Sequence, residues 1–172
     1  MRIIGGLWRG RQISVPPGYD IRPTGDRIRE AWFSIMQYDV PGATILDFCA
    51  GSGALGLEAL SRGAAHVTFV DSSPASLQVV RKNLASLQVP DSAYSLMSGD
   101  AVVIARQLGL HAYQLAVAGP PYASSVASEL AEAWHVTPYA ALLAVEHPAA
   151  LDIGDAGDRR RYGRTAISFF RG

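Results

Sequence analysis

Short apolar runs and amphipathic stretches alternate along most of this chain. From residue 44 onward, apolar runs at 44–48, 66–70, 93–97, 113–117 and 141–146 are separated by segments with helical spacing at 54–62, 74–87, 101–109 and 124–134. Short apolar runs suit strands buried on both faces, and strand–helix alternation with short connections predicts a parallel sheet covered on both sides. The end of the chain breaks the pattern. Arg160-Arg161-Tyr162 and the run from Thr165 to Phe170 flank Gly163-Arg164, a two-residue spacing that predicts an antiparallel closing hairpin. At the other end, Ile3-Ile4 and Gln12 to Val15 flank a Gly-rich turn and read as a small β-hairpin, stopped by Pro16-Pro17-Gly18. Thr24 is placed to N-cap a helix running to about Met36, with Ile28, Trp32 and Ile35 on one stripe. The expected fold is a doubly wound α/β sheet: residues 1–36 form a basic hairpin-and-helix extension and residues 44–172 a Rossmann-like core.

A length of 172 residues argues for a single domain, with no repeat or linker inside it. No stretch has the length and apolarity of a membrane span, and the start, Met1 to Gly6, has no apolar h-region. Cys49 is the only cysteine, so an internal disulfide is impossible. Together these fit a cytoplasmic protein, and the lack of an obvious exposed apolar stripe suggests a monomer. The formal charge is zero, but it is unevenly spread. Residues 1–30 carry six Arg against three acids, and residues 151–172 five Arg against three Asp. The middle holds four basic residues against nine acids. Basic ends beside an acidic middle fit a phosphate-backbone partner and a cationic ligand, or solvated termini. Arg9, Arg11, Arg22, Arg27 and Arg29 are the candidates for gripping the phosphates of such a partner. The four histidines have no metal-ligand spacing and read as ordinary surface or strand-end residues; no metal is expected.

The densest chemistry lies at Leu46 to Gly56, where a strand ends in Asp47, a turn carries Gly51 and Gly53, and a helix opens. Glycine lets such a turn bend tightly and lets a ligand touch bare backbone. The Gly-x-Gly-x-x-Gly spacing also matches a dinucleotide fingerprint. Asp47, four residues before Gly51, argues instead for S-adenosylmethionine, because a carboxylate there suits an ammonium or sulfonium and sits poorly against a pyrophosphate. Asp71, with Ser72 after it, can accept both ribose hydroxyls in either cofactor. Asp100 and Ala101 follow the third run, where an acid can bond an adenine amino group. Each acid could merely cap the next helix. Their coincidence with the glycines favours a cofactor site formed by Asp47, Ala50, Gly51, Gly53, Asp71, Ser72, Asp100 and Ala101.

Gly119-Pro120-Pro121-Tyr122 follows the fourth run and looks like the Asp/Asn-Pro-Pro-Tyr/Phe motif of amino-group methyltransferases. Taken with Arg2 to Arg11, Arg22 to Glu30, Phe48 to Gly63, Glu146 and Tyr162-Gly163, it resembles the RsmD-type methyltransferases of bacterial 16S rRNA. That resemblance runs almost from end to end. It implies a class I S-adenosylmethionine-dependent sheet with S-adenosylhomocysteine as product. The implied reaction is methylation of a guanine 2-amino group in 16S rRNA, presented either as free RNA or within a small-subunit particle. It also implies that Thr24 approaches the cofactor's carboxylate, and that Tyr122 stacks on the base beside the Gly119, Pro120 and Pro121 backbone. The chain departs from the family at one place: Gly119 stands where the motif opens with Asp. The alternative reading is therefore a catalytically impaired binder of RNA and cofactor. A nearby acid or a water could replace the missing carboxylate, and Glu146, at the end of the next run, is the candidate acid.

Overall fold

The computed structural model describes residues 1–18 and 25–172. After α1 (Gly25–Ile35), strands and helices alternate: β1 (Thr44–Phe48), α2 (Ala54–Ser61), β2 (His66–Asp71), α3 (Pro74–Ser86), β3 (Tyr94–Ser98), α4 (Ala101–Gln107), β4 (Tyr113–Ala118), α5 (Val126–Val136) and β5 (Ala140–Pro148). The hairpin β6 (Asp158–Tyr162) and β7 (Thr165–Arg171) closes the chain. The seven strands form one sheet in the order β3-β2-β1-β4-β5-β7-β6. The first five are parallel, and β7 runs antiparallel to both β5 and β6. Every parallel run expected from the periodicity is a strand, with boundaries moved by one or two residues. The anticipated helix start at 124 falls at Val126, because Ala123 to Ser125 finish the turn after Tyr122.

Alternate strand residues feed two apolar clusters. Ile45, Phe69, Leu115, Val117 and Ile167 face α1, α2 and α3, whereas Leu46, Phe48, Ala116, Ala118 and Val145 face α4 and α5. This period-two division follows from the strand pleat. Helix α2 is apolar almost all round and is correspondingly buried, between the sheet on one side and α1 and the N-terminal segment on the other.

The expected N-terminal hairpin is a minimal one. A single antiparallel bridge joins Arg2 and Gln12, made by the Ile3 N–H to the Arg11 carbonyl and the Ile13 N–H to the Met1 carbonyl, and the Gly10 N–H also meets the Ile3 carbonyl. What holds the segment is a buried acid on α2. Glu58 is fully buried, and its carboxylate accepts the Ile4 and Gly5 N–H groups at 2.9 and 2.8 Å. Arg62 reaches the same carboxylate at 2.9 Å and Arg29 at 3.8 Å. Further along, the Asn83 side chain of α3 pairs with both backbone groups of Ser14 and donates to the Ser52 carbonyl. Gly6 packs too tightly to be replaced, since a Cβ there would lie 2.0 Å from the Ser61 carbonyl oxygen at φ +77°.

Removing one partner of a buried charge cluster strands the others. Glu58→Ala is therefore expected to cost about 3–5 kcal/mol in urea unfolding. The exposed pair between Arg171 and Asp39 should by contrast be worth at most about 1 kcal/mol when Arg171 becomes Ala.

Candidate active site

The parallel strands β1 to β5 all end at one rim, and the cleft lies along it, as open α/β sheets require. Its volume is about 570 Å³, within the range of a small-molecule site. Gly51, Asp71, Ser72, Asp100 and Ala101 all border it, as do Gly119 and Pro121. Five cofactor positions and two motif positions expected from the sequence thus share one cavity. Gly18, Cys49, Ser76, Gly99, Ser124 and Val126 complete the lining. These six were not singled out as ligand contacts, because nothing in their local pattern distinguishes a wall from a linker. Arg22 and Thr24 lie outside the described residues.

The remaining cofactor positions act from beneath. Asp47 does not point a carboxylate into the cleft; it is buried, and its Oδ2 accepts the Gly56 N–H at 2.9 Å. Ala50 and Gly53 are likewise buried in the turn. Gly53 caps α2 in the left-handed region at φ 82°, and Gly56 lies so close to the sheet that a Cβ would sit 2.3 Å from Phe69 Cε1. These residues shape the turn that the exposed ones present. Asp71 performs both tasks. Its Oδ2 accepts the Gly51 N–H at 2.9 Å and its Oδ1 the Ser73 N–H at 2.8 Å. Each carboxylate oxygen retains a second lone-pair direction for a ligand hydroxyl. Asp100 N-caps α4 through Val103 N–H and is exposed at the rim.

Among the described lining residues the charges are two carboxylates, with no Lys or Arg. An anionic cradle on a glycine turn fits a nucleoside carrying a positive charge and opposes a pyrophosphate. Cys49, at φ 55°, adds a wall without reactivity: burial, reinforced by Asp71, Asp47 and Asp100, pushes its thiol up to about 12.

On the neighbouring strand ends, Pro120 is buried, Pro121 is exposed and Tyr122 is half-buried. The Tyr122 hydroxyl donates to Glu146 Oε1 at 2.9 Å and also meets Thr165 Oγ1. Thr165 escaped the sequence reading because only the antiparallel return of β7 brings it to this rim.

The arginine candidates separate. Arg29 is buried and bonded to Asp26, the Arg2 carbonyl and Glu58, so it holds the fold and offers nothing to a phosphate. It lies off the Ile28, Trp32 and Ile35 stripe, but the N-terminal segment covers that side of the helix. Arg9 and Arg11 are exposed, but they lie near the helix ends remote from the rim. Arg11 donates to the Ser86 carbonyl at the close of α3, and Arg9 follows Leu7, whose N–H meets Ser61 at the close of α2. Arg27 is exposed on the first turn of α1. The β6–β7 turn instead places Arg164 at the rim, beside Thr165 and with exposed Arg161 close by. His147 is a further correction: expected near the surface, it is fully buried between Ser168 Oγ and the Pro148 carbonyl, and burial lowers its pKa. Among the described residues no cluster of His, Cys, Asp and Glu could hold a metal, and no helix is long and apolar enough to cross a membrane.

The family described as conserved hypothetical protein 95 matches residues 1–171. The chain belongs to this family, the RsmD family. Its relatives include the ribosomal RNA small subunit methyltransferase D of Escherichia coli, 40% identical over 75% of this chain and 64% of that protein. The enzyme of the same name from Haemophilus influenzae is 44% identical over 51% of this chain and 46% of that protein. The match therefore spans a little under two thirds of the E. coli relative's length. Among solved structures, E. coli yhhF superposes with a TM-score of 0.84 at 33% identity, covering 99% of this chain and 97% of that one. A 16S rRNA N2 methyltransferase of Thermus thermophilus, solved with AdoMet and guanosine, shares the fold alone: TM-score 0.69, 18% identity, 91% of this chain and 45% of that one.

For this RsmD family member, Asp47 supplies a pH test. Burial, opposed by the Gly56 N–H and reinforced by Asp71, pushes its carboxyl up to about 7 from 3.8. Between those values the folded protein holds a proton that the unfolded chain has released, so stability falls as pH rises from about 4 to about 7. Asp47→Asn keeps an acceptor for Gly56 and removes the titration. It is expected to flatten that decline, by up to about 1.4 kcal/mol per pH unit, in urea unfolding at a series of pH values.

Proposed function

We propose that this chain transfers the methyl group of S-adenosylmethionine to the 2-amino group of a guanine in small-subunit rRNA. The observation that carries this reading is the adjacency of two sites on one rim: the anionic glycine-turn cradle and the Gly119-Pro120-Pro121-Tyr122 segment, which border one cleft. Membership of the RsmD family, and relatives named for methylation of small-subunit rRNA, support the same conclusion.

The bound donor supplies a methyl group already activated on a sulfonium. What the protein has to contribute is position, since holding two reactants in line removes much of the barrier. Asp71 and Asp100 face the cleft as acceptors for a ribose and an adenine amine. The Gly51 backbone, tied to Asp71, presents a surface without side chain. Beneath it, Asp47 fixes the first turn of α2. On the acceptor side, the Tyr122 ring offers a flat partner for a base swung out of its stack. The carbonyl of Pro120, fixed by a proline ring, can accept from the target amine whatever residue stands at 119. Arg161 and Arg164 border this side and suit phosphates flanking the target; Arg27 is a further contact, whereas Arg9 and Arg11 face the opposite end. A nicotinamide dinucleotide is disfavoured because its pyrophosphate would meet Asp71 and Asp100 with no described Lys or Arg in the lining.

The direct test is transfer of labelled methyl to small-subunit particles that lack the modification, followed by mapping of the label. Label on a guanine 2-amino group is expected, and label elsewhere would refute the assignment. S-adenosylhomocysteine should raise the melting temperature, NAD should not, and Asp71→Ala should weaken S-adenosylhomocysteine binding by about tenfold or more in calorimetry. Arg164→Ala should lower the slope of log affinity against log salt for RNA by about one, while Arg11→Ala leaves it unchanged.

A further inference from the structure

Gly119 removes the carboxylate that opens the motif in related amino-group methyltransferases, and the structure places another carboxylate beside the gap. Strands β4 and β5 are parallel neighbours with Ala118 opposite Val145. The next residue of each chain segment, Gly119 and Glu146, therefore meet at the rim. A Cβ built on Gly119 would lie 3.8 Å from Glu146 Oε2 and 3.7 Å from Leu55 Cδ1. An aspartate side chain there would enter the same space that Glu146 already borders. The other oxygen, Oε1, accepts the Tyr122 hydroxyl at 2.9 Å, and Thr165 braces that hydroxyl. The carboxylate is thus oriented by the motif's own tyrosine, with Oε2 on the side of residue 119.

We propose that Glu146 is the catalytic carboxylate of this chain, accepting the target amine's hydrogen bond and proton in place of the missing aspartate. This rests on the methyltransferase reading above. In the step, the amine lone pair forms the new N–C bond as the C–S bond breaks and leaves its electron pair on sulfur. The nitrogen gives up one proton, which the carboxylate takes and passes to solvent. Tyr122 and Thr165 act as positioning residues.

The test compares wild type, Gly119→Asp, Glu146→Gln and the double variant Gly119→Asp/Glu146→Gln. Single-turnover methyl transfer to unmodified small-subunit particles is measured with S-adenosylhomocysteine affinity and melting temperature. Glutamine keeps a hydrogen-bond acceptor but cannot take a proton. Glu146→Gln is therefore expected to bind S-adenosylhomocysteine within about twofold of wild type while transferring methyl roughly 10²-fold more slowly. Gly119→Asp should restore most of that loss in the double variant and add little when Glu146 is present. A wild-type rate in Glu146→Gln would overturn the proposal. So would a loss that Gly119→Asp fails to restore although binding and melting are intact, which would mark Glu146 as structural. Transfer by Gly119→Asp but not by wild type would show that Glu146 does not substitute. Transfer by neither, with S-adenosylhomocysteine bound, would bring down the methyltransferase reading and this inference with it.

Discussion

Everything at the rim depends on a carboxylate buried at the end of β1. Asp47 has left water to hold the Gly56 N–H, one of the backbone donors that open α2 without a partner inside the helix. Its position fixes where the helix starts, and that start fixes the turn from Cys49 to Gly53. Three backbone conformations in this turn, at Cys49, Gly51 and Gly53, lie in the left-handed region. The turn can hold them because it is fastened at several points: to Val70 through the Ala50 N–H, to Asp71 through the Gly51 N–H and to Asn83 through the Ser52 carbonyl. The cradle is accordingly assembled before any ligand arrives, which is the condition for positioning to lower a barrier.

The same fastening accounts for the N-terminal segment. It has little regular structure of its own, yet it is anchored by charged and amide side chains buried on α2 and α3 rather than by a ladder. Glu58 would be costly inside an apolar helix if it stood alone. With two backbone donors and two guanidinium groups around it, the carboxylate becomes the point where α1, α2 and the first residues meet. That requirement explains why the basic N-terminus is a poor guide to an RNA surface. Arg29 serves this interior cluster, and the segment's course carries Arg9 and Arg11 away from the rim.

How far the sequence revealed the molecule follows from what each signal reports. The parallel strands β1, β2, β4 and β5 were legible because burial on both faces leaves compact apolar runs, and the glycine turn because tight bends restrict residue choice. That Asp71 and Asp100 border one cleft was legible because strand ends of an α/β sheet share one rim, so position along the chain translates into position in space. Three things were not legible. The burial of Arg29 and His147 depends on which segment covers them, a tertiary fact with no local period. The inward turn of Asp47 depends on a single hydrogen bond. The approach of Thr165 to Tyr122 depends on β7 running back against β5, which juxtaposes residues 43 apart in sequence.

Gly119 brings these threads together. Read along the chain, it is a defect in a motif whose first residue ordinarily carries the chemistry. Read in space, the position is a gap between two adjacent strand ends, and the function of a gap is set by what borders it. The bordering group, Glu146, belongs to the next strand and is held by the tyrosine of the altered motif itself. A sheet rim tolerates this kind of exchange because neighbouring parallel strands deliver their terminal side chains to overlapping volumes. A carboxylate at the end of one strand can then address the same point as a side chain at the end of its neighbour. The chain's departure from the motif at Gly119 leaves Glu146 as the carboxylate that borders that point.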